Sequence, residues 1–244
     1  MVGRLLARGM VAGILAALLS FVFSKIFGEP QVALAIAFEA AQDAAAGAAP
    51  EPELISRGVQ ASWGLLTAVL MYGAAYGGIF AIVFAFAYQR LATLSPRAMA
   101  LLLSGVGFLT FVLIPDLKYP PNPPAVGQEE TIALRTEMYF AMVGLSIAIS
   151  MICLLVGRAL SNVIGYWNAA VCSIILGIAL VAAVQFGLPD FNEVPDNFPA
   201  VVLWRFREAS IGMQIVLWSV LGLVFGALVE KCLPSANGVA RKTV

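Results

Sequence analysis

Six runs of apolar residues divide this chain, and polar stretches of alternating character separate them. A bilayer core about 30 Å thick is crossed by roughly 20 apolar residues in helix. Runs of that order lie at about Leu5–Phe27, Trp63–Tyr88, Ala98–Ile114, Met138–Val156, Trp167–Phe186 and Ile211–Val229. The pattern predicts an all-α membrane protein with six transmembrane helices in one polytopic domain, residues 1–244. The third run is short and is expected to end at Pro115, which lacks the N–H that continues a helical ladder. The first could be taken for a signal peptide, but no small-x-small cleavage site follows it closely, and a retained helix is expected.

The polar stretches alternate in character. Arg4, Arg8, Arg90, Arg97, Arg158, Lys231, Arg241 and Lys242 occupy the two termini and the even connections. Basic residues mark the cytoplasmic side of membrane proteins, so both termini are expected to face the cytoplasm. Inner loops are expected at about residues 89–97 and 157–166. Long outer connections fall at about 28–62, 115–137 and 187–210, and the last two are rich in proline. The first outer segment carries an alanine-rich stretch, residues 31–53, that favours a surface helix broken at Pro50 and Pro52. A faint repeat links "IPDLKYPPNPP" (114–124) with "LPDFNEVPDNFP" (188–199). Three helical hairpins opening outward would account for it, as would the ordinary need for proline and arginine at helix ends.

Composition narrows the class. The chain has 244 residues, 61% hydrophobic and 11% charged, less than half the usual charged fraction of about 25%. That leaves too little polar surface to cover a soluble globule. Histidine is absent, which removes the commonest general base and the commonest metal ligand. No Ser-His or Cys-His pair, zincin motif or nucleotide-binding glycine loop occurs, so catalysis is not expected. Nothing points to nucleic acid. The three cysteines match no zinc or redox spacing and read as buried apolar residues or an idle tail thiol.

Candidate chemistry concentrates outside the spans. Between their ends the spans carry no Asp, Glu, Lys or Arg; Arg8 and Lys25 mark the two ends of the first. Proton-coupled transporters keep an ionisable group at depth, so no relay is expected. Gly9–Gly13, Gly73–Gly77 and Gly222–Gly226 repeat at four-residue spacing, which lets helix backbones approach closely. These faces suit packing within the bundle, or a partner helix or homo-oligomer. The outer connections, taken with Lys25 at the end of the first span, set 13 of the 14 acids against six basic residues, about seven negative charges net. Such a face concentrates cations. Asp116, Asn122, Asp190, Asn192 and Glu193 would supply oxygen ligands to a divalent ion, or form plain solvated loops. Arg57, Arg135, Arg205 and Arg207 would brace the loops by pairing with acids. The methionines in and beside the spans read as packing.

The segments "FGEP" (27–30), "ISRGVQ" (55–60), "KYPPNPPAVG" (118–127), "ETIALRTEMY" (130–139), "NEVPDNFPA" (192–200) and "LWRFREAS" (203–210) occur in this order as three pairs, with apolar spans between the pairs. In these the chain resembles the CbtA family of cobalt transporter subunits. The resemblance implies an inner-membrane permease subunit for cobalt or another divalent cation, with no firmly bound cofactor. It also implies a small single-span partner that carries histidines. Relatives place histidines before the stretch matching Ser56–Gln60, where this chain has Ala44–Ala49 and Pro50. A partner would then supply the imidazoles. The reading set against this one is a non-transporting scaffold that packs on another membrane complex through its glycine faces.

Overall fold

A computed structural model describes residues 2–47, 54–90 and 94–233. Among them the only regular structure is helical. Five helices are α1 (Val2–Ala46), α2 (Arg57–Ala87), α3 (Pro96–Lys118), α5 (Tyr166–Gly187) and α6 (Ala200–Glu230); α4 is Glu129–Ile164. All six are long and apolar enough to cross a membrane. The chain is thus an all-α, multi-pass membrane protein.

Most helices outrun their apolar cores, and this revises several expected boundaries. α1 does not stop near Phe27. It passes Pro30 and ends at Gly47, whose φ of +72° is the left-handed cap that glycine adopts freely. Pro50 and Pro52, the expected breaks, lie outside the described residues. α3 likewise passes Pro115 and ends at Lys118. The reason is the same in both helices. A proline leaves the carbonyl four residues earlier without its N–H and crowds it. Those carbonyls belong to Ile26 and Phe111, and each lies inside a π-helical turn, Ser24–Gly28 in α1 and Leu109–Leu113 in α3. One extra residue per turn widens the ladder where the ring must fit. A third π turn, Gln60–Gly64, opens α2. The inner loop expected at 157–166 shrinks to Gly165, where α4 hands over to α5. The irregular proline segments are 119–128 and 188–199, shorter than the connections expected at 115–137 and 187–210, because α4 and α6 begin early.

The chain divides into two compact units. The first comprises residues 1–108, 123–125 and 199–244, and so α1, α2, α6 and most of α3. Glycines set its core. A Cβ on Gly9 would strike the Gly77 carbonyl oxygen, and one on Gly13 the Gly73 carbonyl oxygen. α1 and α2 therefore meet backbone to backbone, the close approach that small residues permit in lipid. Gly222 and Gly226 do the same for α6 on α3, where added carbons would lie 2.6 Å from Ser104 Cβ and 3.1 Å from Arg97 Cα. The Ser104 hydroxyl donates to the Trp218 carbonyl at 2.6 Å, and Phe80 and Phe84 pack edge-on against Phe225. These glycine faces are filled from within the unit.

The second unit, residues 109–122 and 126–198, holds the end of α3 with α4 and α5. α4 and α5 pair through small residues as well. A Cβ on Gly157 would meet Ser173 Oγ at 2.7 Å, and one on Gly177 would meet Cys153 Sγ at 3.1 Å. The three cysteines are free thiols; Cys153 is half-buried, and Cys172 and Cys232 are exposed.

Candidate functional site

The two proline segments, which lie in the second unit except for residues 123–125 and 199, are where the candidate ligands cluster in sequence. Proline supplies no N–H and disfavours helix in the residue before it, so both stretches stay irregular. Their order comes from side chains. Residues 188–193 form a strap fastened at two places.

The first fastening is at the end of α3. Lys118 Nζ lies 2.5 Å from Asp190 Oδ1. The Tyr119 hydroxyl donates to the Pro189 carbonyl at 2.9 Å, and its ring packs on Phe191 at 5.6 Å between centroids. Burial raises the Tyr119 pKa above the usual phenol value; the Asp190 charge adds to this and Lys118 opposes it. The second fastening is on α4. Thr131 and Arg135 both donate to the Glu193 carboxylate. Gly127, at φ +152°, lets the backbone pass close to this pair: a Cβ there would lie 3.3 Å from an Arg135 nitrogen.

The two ion pairs differ in exposure. The Asp190 side chain is 91% exposed and Lys118 only 8%. Glu193 is 3% exposed and Arg135 30%. The expected metal ligands are therefore not in equal states. Asp190 and Glu193 each hold a cationic side chain of the protein. Asp116 sits half-buried in the last turn of α3, Asn122 is half-buried in the first proline segment, and Asn192 is exposed on the strap. Among the described residues no three Asp, Glu or Cys side chains converge as a metal-binding group.

The bracing arginines divide. Arg135 holds Glu193, and in the first unit Arg57 pairs with Glu29 at 2.8 Å. Beside that pair, Lys25 Nζ donates to the Ala61 carbonyl at 2.9 Å, joining the π turns of α1 and α2. Arg205 is exposed and Arg207 half-buried in the first turns of α6. Sequence reasoning missed Lys118, Tyr119 and Thr131. Lys118 and Asp190 both lie within three residues after the first proline of the repeated segments (Pro115-Asp116-Leu117-Lys118 and Pro189-Asp190), and that was the only available hint.

The fold defines a helical multi-pass membrane protein. The family model for the probable cobalt transporter subunit, CbtA, matches residues 2–230, nearly the whole chain. The chain belongs to that family, and as one subunit of a transporter it works with a partner. No curated protein and no solved structure matches it.

Proposed function

We propose that this chain is the permease subunit through which a divalent cation, cobalt by its family, enters a bacterial cell across the inner membrane. Both tails lie in the cytoplasm, and the metal gathers at the acidic outer face. The observation that carries this reading is the family match over residues 2–230. The charge pattern supports it, since 13 of 14 acids fall in the outer connections. The family is one of transporters, not of enzymes.

Asp116, Asn122, Asp190, Asn192 and Glu193 are the capture residues in this reading. Asp190 and Glu193 already carry Lys118 and Arg135, so a metal reaching them exchanges with a protein cation. Oxygen alone suits hard ions, whereas cobalt gains from nitrogen. A small single-span partner bearing histidines would complete the ligand set. A divalent ion entering at 100 mV gains about 4.6 kcal/mol, which drives uptake without a proton relay. The packing of the glycine faces within the first unit supports this reading over a scaffold that would need them.

Cobalt accumulation in cells expressing the subunit with its partner tests the proposal. Asp116→Asn and Asp190→Asn are each expected to lower initial uptake about three- to tenfold, as fewer anionic oxygens face the arriving ion. Wild-type accumulation in both variants at equal membrane abundance would count against capture at these residues.

A further inference from the structure

Every passage of the chain between the two units falls where regular α-helix is interrupted. One is at Phe108–Leu109, the start of the π turn of α3. Two flank Pro123–Ala125 in an irregular proline segment. The last is at Phe198–Pro199, just before α6 begins. No α-helical ladder runs from one unit into the other.

The α3 crossing is the informative one, because a single apolar helix is shared. Its first part, to Phe108, is locked to α6 by Ser104 on the Trp218 carbonyl and by Gly107, where a Cβ would collide with the Trp218 ring. Its last part is held differently. Pro115 cannot donate to the Phe111 carbonyl, and the Tyr139 hydroxyl of α4 donates to it instead, at 3.3 Å. The Gln185 amide of α5 donates to the Ile114 carbonyl at 3.1 Å. The end of α3 thus takes side-chain bonds from α4 and α5, next to the turn where its own ladder is widened. The other two π turns are placed otherwise: those of α1 and α2 lie inside one unit and are joined by Lys25 and the nearby Arg57–Glu29 pair.

We propose that the Leu109–Leu113 turn is a joint, and that α4, α5 and the end of α3 pivot on it as one body. Helix kinks occur at π turns and prolines, and hinges are a few residues that absorb the dihedral change while bodies stay rigid. Here the joint combines both devices; the Tyr139 bond satisfies the Phe111 carbonyl that Pro115 leaves, and the Gln185 bond ties the end of α3 to α5. Bundles that rock on such interrupted helices are a known way to alternate access to a site. The joint itself does not depend on the transport reading.

Spin-label distances in lipid nanodiscs test it, with Cys153, Cys172 and Cys232 replaced by Ala. One label at Phe86→Cys and one at Trp167→Cys report between units; labels at Met71→Cys and Phe86→Cys report within α2. The between-unit distribution is expected to be about twofold wider than the within-helix one. Pro115→Ala, which restores the missing N–H, should narrow it toward the control, and Tyr139→Phe should widen it. A between-unit distribution as narrow as the control, or one that Pro115→Ala leaves unchanged, overturns the joint. Cobalt accumulation is measured on the same variants. Narrowed distances with undiminished uptake would uphold the joint and show that uptake does not need it, whereas wild-type uptake no greater than that of cells lacking the chain would count against the permease reading alone.

Discussion

Lys118 and Asp190 form one ion pair with unequal ends. Asp190 stands in water and loses little if its partner goes, whereas Lys118 is buried and needs a counter-charge. Lys118→Met should therefore change stability by less than about 1 kcal/mol. Asp190→Asn leaves a buried ammonium without its anion and should cost about 1–3 kcal/mol. Thermal unfolding in one detergent checks the order, and equal losses would show the burial difference to be unimportant. Gly77 makes a second residue-scale case. Gly77→Val places carbon against the Gly9 carbonyl oxygen, an overpacking that should cost about 1–3 kcal/mol. Gly3→Val meets nothing within 4 Å and serves as the control. The glycine pairs were legible in the sequence because spacing by four fixes a helix face. The ion pairs were not, since no local pattern says which of six basic residues reaches which of 13 acids across two irregular segments.

At the scale of elements, the apolar runs located all six helices because lipid demands long unbroken stretches of one kind. They could not locate the ends. Helix continues through polar residues at the start of α4 and α6 and through Pro30 and Pro115, and π turns leave no mark in composition. Gly165 shows how sharp an element boundary can be. Its φ of 79° and ψ of 161° lie in a region almost confined to glycine. Gly165→Ala should cost about 1–3 kcal/mol, although nothing lies within 4 Å of the added carbon. Unfolding of the variant measures it. A neutral substitution would mean that the turn relaxes into another conformation.

For the whole molecule, charge asymmetry predicts orientation. Reporter fusions at either tail should score as cytoplasmic in intact cells, and a periplasmic score for either would reverse the assignment. Family membership was legible because its segments follow one another in a fixed order. The division into two units was not, since it depends on which helices touch. α1 carries a last consequence. Its 45 residues amount to roughly 67 Å of helical rise, about twice the thickness of the hydrocarbon. Glu39 and Asp43 stand about 18 and 24 Å along its axis beyond Phe27, more than two screening lengths of about 8 Å in physiological salt. Their field fades before it reaches the far end of that interval. The 13 acids would thus not act as one electrode, since Glu39 and Asp43 lie beyond the reach of an ion near Phe27.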